Sequence, residues 1–186
     1  KTENASTPLA AESNTDIRLK GFDLENGNRQ ELFLDGATML NPKLKLKYEA
    51  HWWQTDVTGK DENDWESALL KLIYFPKEGK LKKSDKPYRL AVGLDWAVDL
   101  GDQEKGIGSG SDTVGPFFGA AIAAKPGLMF IPLIQHFVEY SGFDVNLTAA
   151  RLIALQTLSS AKWLKMDLKV PYDGEKESWP ADVEFQ

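Results

Sequence analysis

Polar and apolar residues alternate strictly along several segments of the chain. In the segment KLKLKYEAHWW, residues 43–53, Leu44, Leu46, Tyr48 and Trp52 alternate with Lys, Glu and His. Because successive side chains of an extended strand point to opposite faces, this alternation predicts a β-strand with one apolar and one charged face. The apolar face suits either a protein core or a lipid bilayer, since alternation alone does not distinguish the two.

Strand-like segments recur along most of the chain, and no convincing amphipathic helix accompanies them. The segment at residues 145–164 is rich in Ala and Leu, which favour a helix, but Thr148, Ile153 and Thr157 favour a strand. We therefore predict strands at residues 28–40, 43–56, 64–75, 88–100, 114–124, 128–141, 145–158, 163–172 and 177–185. This pattern predicts one antiparallel β domain over residues 16–186, preceded by a flexible polar arm at residues 1–15.

The predicted strands are long. Most match the roughly nine to eleven residues of a membrane-spanning strand rather than the roughly five or six of a soluble sheet. The strand YRLAVGLDWAVDLG, residues 88–101, has no charge on its apolar side. A Lys or Arg there would cost about 2–4 kcal/mol near the middle of a bilayer. Pro116 and Pro132, each within a strand, predict a bulge or a sheet edge.

Loops and aromatic residues follow the pattern of an outer-membrane barrel. The turns at residues 41–43, 125–127 and 159–161 are tight, whereas residues 56–64 and 101–113 form long polar loops. Two connections break the alternation of short and long: the lysine-rich segment at residues 77–87 and the short one at 141–144. Trp and Tyr residues cluster at strand ends, which favours an aromatic girdle at the lipid headgroups over the water-facing rim of a soluble sheet.

Composition excludes several classes of protein. The net charge of -6 and the pI near 5.0 argue against nucleic acid as a partner, because such proteins carry basic surfaces. The absence of Cys excludes disulfides and thiolate chemistry. No apolar run reaches the roughly 18–20 residues that a spanning helix needs.

The sequence contains few residues of the types that catalytic sites use. The only histidines are His51 and His136, which leaves almost nothing for a zinc site or a Ser-His hydrolase. Some outer-membrane lipid hydrolases place a His and a Ser two residues apart on a strand, but here Val138 follows His136 at that distance. The acidic residues at 99–112 match no EF-hand spacing. We therefore predict no catalytic residue, no cofactor and no metal.

A series of small motifs marks the C-terminal half of the chain. They are a GSG loop before a Gly-Pro strand, a Gln before aromatic residues, a short Gly turn, an Asn-containing strand and a Trp that opens the next strand. The residues are Gly108, Gly110, Gly115, Pro116, Gln135, Gly142, Asn146 and Trp163. In order and spacing, residues 88–186 resemble the outer-membrane β-barrel transporter family of the MetA pathway of phenol degradation. This resemblance implies transport of small aromatic or apolar molecules.

We therefore predict an all-β fold, an antiparallel up-and-down β-barrel in the bacterial outer membrane. Because the number of predicted strands is odd and the chain ends in mid-strand, either closing strands are missing from this sequence or the barrel interpretation is wrong. The expected function is a channel or transporter, with membrane lipid and a small-molecule cargo as partners and the oligomeric state left open. The alternative is a soluble β-sandwich or lipocalin-like barrel, periplasmic or secreted, that binds an apolar ligand. A barrel-borne lipid hydrolase is the second alternative.

The predicted barrel assigns a role to each face of its strands. Charges of both signs would line the lumen and tune what passes, although they would equally suit the water-facing side of a soluble sheet. The predicted lumen-lining residues are Glu49, His51, Arg89, Asp95, Asp99, Arg151, Lys165, Asp167 and Lys169. The predicted lipid-facing residues are Leu44, Leu46, Tyr48, Trp52, Leu90, Val92, Leu94, Trp96 and Val98.

Overall fold

The computed structural model describes residues 13–158, 162–174 and 182–185, and the structural statements below concern these residues. This part of the chain is all β apart from one 3₁₀ turn, Gln103–Lys105. None of these residues form a helix with the length and apolar character that a bilayer-spanning helix requires. The strands are β1 (Asn14–Leu24), β2 (Gly27–Asn41), β3 (Leu44–Thr55), β4 (Glu62–Tyr74), β5 (Glu78–Lys80), β6 (Pro87–Asp99), β7 (Ser111–Lys125), β8 (Leu128–Gly142), β9 (Asn146–Thr157), β10 (Trp163–Asp173) and β11 (Asp182–Phe185).

The strands form one antiparallel up-and-down sheet in which nearly every strand pairs with its neighbours in sequence. The order is β1-β2-β3-β4-β6-β7-β8-β9-β10-β11, and the short strand β5 pairs with β6. Nine long strands dominate this sheet, which curls into a half-barrel. In the described part of the chain, β1 and β11 lie at opposite ends of the order and do not pair with each other. The predicted all-β, antiparallel up-and-down architecture is therefore confirmed, and the open half-barrel is consistent with the expectation of an incomplete barrel.

Strand β1 is the main addition to the predicted elements. The polar arm was expected to extend to residue 15, but β1 begins at Asn14, which pairs with Ala37 of β2. The misleading signal is composition, because Asp16, Arg18 and other polar residues fill one face of this short alternating segment. The remaining predicted strands are found near their expected positions, including β9, where helix and strand competed. Residues 1–12, the predicted turn at 159–161, residues 175–181 and residue 186 lie outside the described residues.

The prolines inside β7 and β8 are accommodated without a bulge at either position. The sequence predicts a bulge or an edge at Pro116 and Pro132, and this prediction is wrong, because β7 and β8 keep one register between residues 114 and 122 of β7. The β7–β8 pairs simply skip both prolines, while each proline pairs with its other neighbour, β6 or β9. The missing N–H groups therefore interrupt one ladder locally instead of ending the sheet.

The sheet has two ends and two faces that differ in chemistry. We call the end with turns at residues 42–43, 81–86 and 126–127 the lysine-rich end, and the end with loops at 56–61 and 100–110 the long-loop end. Charged residues occupy alternate strand positions whose side chains lie on the concave face, and this face contains most of the buried positions. The convex face is apolar and exposed.

Candidate functional site on the concave face

The register places the two predicted sets of residues on opposite faces. All nine residues predicted to line a lumen lie on the concave face, and all nine predicted to face lipid lie on the convex face. Asp95 and Asp167 are buried, whereas Leu94 and Trp96 are 46% and 49% exposed. The assignment of these faces to a lumen and to lipid remains a prediction, but the separation of charged from apolar residues is a property of the fold.

A buried ion pair lies at the centre of the concave face. The Lys71 ammonium on β4 is 2.9 Å from Oδ2 of Asp95 on β6, and the side-chain amide of Gln135 on β8 donates to the same oxygen. The Asp95 side chain is 4% exposed, and its Oδ1 is buried with no hydrogen-bond partner among the described residues. Lys71 also lies over the ring of Phe117, 5.4 Å from its centroid.

Glycine makes the room that this centre requires. A Cβ added to Gly93 of β6 would lie 2.4 Å from the Phe117 ring and 2.4 Å from the Leu72 carbonyl oxygen. A Cβ on Gly115 of β7 would lie 2.7 Å from Phe137. The aromatic rings therefore lie against bare backbone, which lets Phe117 reach Lys71.

Strands β1, β2 and β3 contribute a continuous charged network, which we call the charged wall. Arg18 donates to Asp35 at 2.9 Å, and Lys47 lies 3.2 Å from Glu49 and 3.8 Å from Asp35. His51 Nε2 lies 3.6 Å from Glu49. Because each charge has more than one partner, no single ion pair holds this wall together.

Aromatic rings are interleaved with the cations of the charged wall. The His51 ring stacks on Phe33, with centroids 5.1 Å apart and planes at 18°. The Arg29 guanidinium lies 4.1 Å from the centroid of Trp53 and 4.9 Å from that of Phe22. Trp53 Nε1 is buried without a hydrogen-bond partner among the described residues. These rings offer flat surfaces beside polar groups, which suits a planar or amphipathic ligand.

Strands β7, β8 and β9 form a different surface, which we call the apolar wall. Its buried residues cluster towards the lysine-rich end. They include Ile73 from β4 and Phe75, the residue directly after β4. The cluster consists of Ile73, Phe75, Ala91, Phe117, Ala121, Ile131 and Ile153. A cavity of about 440 Å³ opens beside it, lined in part by Ala121, Ala123 and Met129, with Arg89 at its side.

A second buried carboxylate joins β9 to β10. Both oxygens of Asp167 accept hydrogen bonds from the Arg151 guanidinium, with Nε at 2.7 Å from Oδ1. Lys165 lies 3.5 Å from the same carboxylate. A bidentate, charge-assisted contact of this kind is strong and geometrically specific, and it holds the side chains of two predicted lumen residues against each other.

The long-loop end is tied down by ionic and backbone contacts. Lys105 in the loop at 100–110 lies 2.7 Å from Asp64 on β4, and this carboxylate raises the pKa of Lys105. Asp99 accepts backbone hydrogen bonds from Gly101 and Gly110. No cluster of three or more metal-ligating side chains occurs among the residues that the structure describes. Asp99, and Asp102 through the Glu104 N–H, therefore accept hydrogen bonds from the backbone of this loop.

The histidines do not form a hydrolase arrangement with their observed partners. His136 lies on the convex face, and its Nδ1 is 2.9 Å from the hydroxyl of Thr148. His51 lies beside Glu49 and Glu66, and the Ser67 hydroxyl donates to Glu66 instead of to the histidine. A Ser-His mechanism requires the hydroxyl to donate to the imidazole.

Several residues of the concave face were not predicted from the sequence. Lys71 lies in the segment ALLKLI, where apolar residues on both sides hide the alternation. Gln135 was identified only as part of the family resemblance, without a role. Asp35 and Lys47 do alternate in their strands, so their position on the charged face was available from the pattern, but their pairing depends on the register of β2 against β3.

Comparison with known proteins does not assign the chain to a family. No protein-family model matches it, and no curated protein matches it. The resemblance to the outer-membrane transporter family is therefore untested, and the functional argument depends on the geometry of the two faces.

Proposed function

We propose that the chain is the wall of an outer-membrane β-barrel that acts as a channel or transporter for small molecules. The observation that carries the proposal is the distribution of polarity between the faces. The exposed convex face is apolar and the more buried concave face is charged, which is the reverse of the arrangement in a soluble protein. On the convex face of β1 to β10, the alternating positions away from the strand ends contain no Asp, Glu, Lys or Arg in the described residues. Large apolar side chains there are exposed, among them Ile17, Leu72, Leu94, Phe118 and Ile134. A soluble protein rarely leaves so large an apolar surface in water.

The dimensions of the sheet fit a bilayer. A strand of 12 residues such as β3 rises about 3.3 Å per residue, so that at a tilt of about 45° it spans roughly 28 Å. The apolar band of an outer-membrane barrel is about 25 Å tall. The strands are therefore long enough to cross it.

Aromatic side chains flank the apolar surface in the manner of two girdles. At the long-loop end the convex face carries Trp52, Trp65, Trp96 and Tyr140, and the indole N–H of Trp96 donates to the Tyr140 hydroxyl at 2.6 Å. Tyr74 and Tyr88 lie at the lysine-rich end. Such amphipathic rings favour the headgroup level of a bilayer.

Transport through this barrel would need no catalytic residue. The charged wall would orient polar groups of a cargo, and the apolar wall would accept an apolar or aromatic body. The choice of aromatic and apolar cargo derives from the family resemblance. Because backbone groups at a free edge find no water in lipid, the proposal also requires pairing partners for the edges at β1 and β11.

Refolding with and without a mild detergent tests the proposal. We expect a β-type far-UV circular dichroism spectrum and a monodisperse elution profile only in detergent. We also expect boiled and unboiled samples to migrate differently on a gel. A monodisperse β protein in plain buffer, with no change in migration on boiling, would contradict the proposal.

A soluble ligand-binding sheet is the second candidate. The observation in its favour is the buried apolar cluster on the concave face, which resembles the floor of a small-molecule pocket. This candidate requires the convex face to be covered by another part of a protein. Its expected signature is β structure in plain buffer together with binding of an apolar fluorescent dye that Ile131→Trp blocks.

A further inference from the structure

The lysine-rich end carries a well-ordered hairpin that extends β4 and β6 beyond the neighbouring turns. Strand β5 pairs with Pro87 to Arg89 of β6, and Leu90 N–H donates to the Lys77 carbonyl at 2.8 Å. The turn closes with backbone hydrogen bonds between Leu81 and Lys86, at 2.9 Å, and from Ser84 to Leu81. We call residues 77–89 the lysine hairpin. These backbone bonds hold the hairpin itself at one end of the sheet.

Positive charge is concentrated on this hairpin. Five lysines occur between residues 77 and 86, all exposed, against Glu78 and Asp85. Both acids already have a cationic partner, since Glu78 lies 3.4 Å from Arg89 and Asp85 lies 3.0 Å from Lys80. The remaining lysines form no ion pair with any described residue. They are Lys77, Lys82, Lys83 and Lys86.

The two ends of the sheet have opposite charge. Near the hairpin, the turns contain further lysines: Lys43, Lys125 and Lys162. At the long-loop end the loops contain mostly acids: Glu25, Asp56, Asp61, Asp102, Glu104 and Asp144, against Lys60 and Lys105. In a chain with a net charge of -6, this positive end is a local feature and not a general property of the surface.

The lysines begin where the apolar convex face ends. Tyr74 and Tyr88 lie at the base of the hairpin on that face, and the Tyr88 ring packs over Gly79, where an added Cβ would be 3.5 Å from the ring. If the convex face is in lipid, the tyrosines lie at the headgroup level. The lysines just beyond them then lie at the height of the lipid phosphates.

We propose that the lysine hairpin docks on the headgroups of anionic phospholipids in the leaflet at the lysine-rich end. This inference rests on the proposed membrane function. Basic segments beside a membrane are attracted to its anionic surface by about fivefold in affinity for each Lys or Arg. The acidic long-loop end is repelled by the same surface. The charge difference therefore also orients the barrel relative to a leaflet rich in anionic lipid.

The absence of cysteine allows a site-specific test with the whole chain. Ser84→Cys in the hairpin and Thr58→Cys in the long loop, both exposed, receive the same fluorophore. Each protein is reconstituted in phosphatidylcholine bilayers that contain a small fraction of either phosphatidylglycerol or phosphatidylcholine with the same nitroxide on its acyl chain. We expect the phosphatidylglycerol probe to quench the hairpin label several-fold more strongly than the phosphatidylcholine probe, and the long-loop label to show no such preference.

Two variants separate charge from shape in this test. Replacing Lys82, Lys83 and Lys86 by Gln should reduce the hairpin preference to about that of the long-loop label, whereas the matched Lys→Arg variant should retain it. About 1 M salt should also abolish it, because the Debye length then falls to about 3 Å. Inorganic phosphate at a few millimolar should leave it unchanged.

The outcomes distinguish the two proposals from each other. Failure of every version to insert into bilayers would contradict the membrane function itself. Insertion with equal quenching by both lipids, or with a preference that survives the Gln replacements, would overturn the hairpin inference alone. Loss of the preference in millimolar phosphate would also overturn it, because the hairpin would then bind free phosphate instead of the bilayer surface.

Discussion

The charged wall and the apolar wall occupy the same concave face but are stabilised in different ways. On β1 to β3, Arg18, Asp35, Lys47, Glu49 and His51 share partners, so each charge has an alternative neighbour. On β7 to β9, stability depends on close packing of apolar side chains against small residues. We therefore expect this face to tolerate substitutions in the charged wall and to be sensitive to them in the apolar wall. The pair of Lys71 and Asp95 lies between them and combines burial with charge.

The largest loss of stability is expected from a substitution in the Lys71–Asp95 pair, which lies between the two walls. Asp95→Ala removes the carboxylate that Lys71 and Gln135 share and leaves Lys71 without its buried partner. Breaking such a pair costs about 3–5 kcal/mol, which urea unfolding of the refolded protein would measure. Asp144→Ala in an exposed loop is the control, with an expected change within about 0.5 kcal/mol. A loss below about 1 kcal/mol for Asp95→Ala would show that the pair does not join the walls.

A smaller but substantial effect is expected within the apolar wall. Ile131 is fully buried at 0% exposure, so Ile131→Ala should cost about 2–4 kcal/mol through the cavity it creates. Ile134, on the same strand but on the convex face, is 52% exposed. Ile134→Ala should cost less than about 1 kcal/mol because its neighbours pack less closely. Equal losses from the two variants would contradict the assignment of β8 side chains to the two faces.

Adding one methyl group to the backbone should have an intermediate effect. Gly93→Ala would place a Cβ 2.4 Å from both the Phe117 ring and a backbone oxygen. Overpacking of this kind costs about 1–3 kcal/mol. Gly59→Ala is not a strain-free control because its φ is +82°, whereas Gly21 has open space around it. Gly21→Ala should therefore leave the unfolding midpoint nearly unchanged, and a shift as large as that of Gly93→Ala would contradict the packing argument.

The smallest effect is expected in the charged wall. Glu49→Gln removes one charge beside Lys47 and His51, but Asp35 and Glu66 remain within 3.8 Å of them. Partly exposed ion pairs contribute about 0.2–1 kcal/mol, so the expected loss of stability is below about 1 kcal/mol. A loss comparable to that of Asp95→Ala would mean that the charged wall is as sensitive as the central pair.

The sequence predicts the faces better than it predicts the contacts. Strict alternation in β3 and β6 places Leu46 and Leu94 opposite Glu49 and Asp95 without any knowledge of the sheet, because the side-chain period of a strand is two. The central pair is different, since Lys71 and Asp95 are brought together by the register between β4 and β6. Alternation within a single strand contains no information on register.

Other features fail to appear in the sequence for local physical reasons. The polar composition of β1 weakens its strand pattern in the sequence, and β1 is identified as a strand only through its pairing with β2. The cavity beside Arg89 is formed by the four strands β5 to β8, and the contact of Phe117 with the Gly93 backbone depends on the register of β6 against β7. The cluster of lysines in the hairpin is recognisable in the sequence. The hairpin conformation is not, because it depends on β5, a strand of three residues that is too short to show an alternation of polar and apolar residues.

The most direct test of the central idea, that the convex face contacts lipid, compares two leucines at different depths. Leu94 lies on the convex face of β6, and Leu100 follows directly after β6 in the same alternation; the two are 46% and 48% exposed. Leu94 lies near the middle of the apolar face, whereas Leu100 lies just beyond its rim. The free energy of unfolding of the protein in phosphatidylcholine bilayers should fall by about 2–4 kcal/mol for Leu94→Arg and by about 0–1 kcal/mol for Leu100→Arg. Equal and negligible losses, in a protein that also folds in plain buffer, would contradict the account.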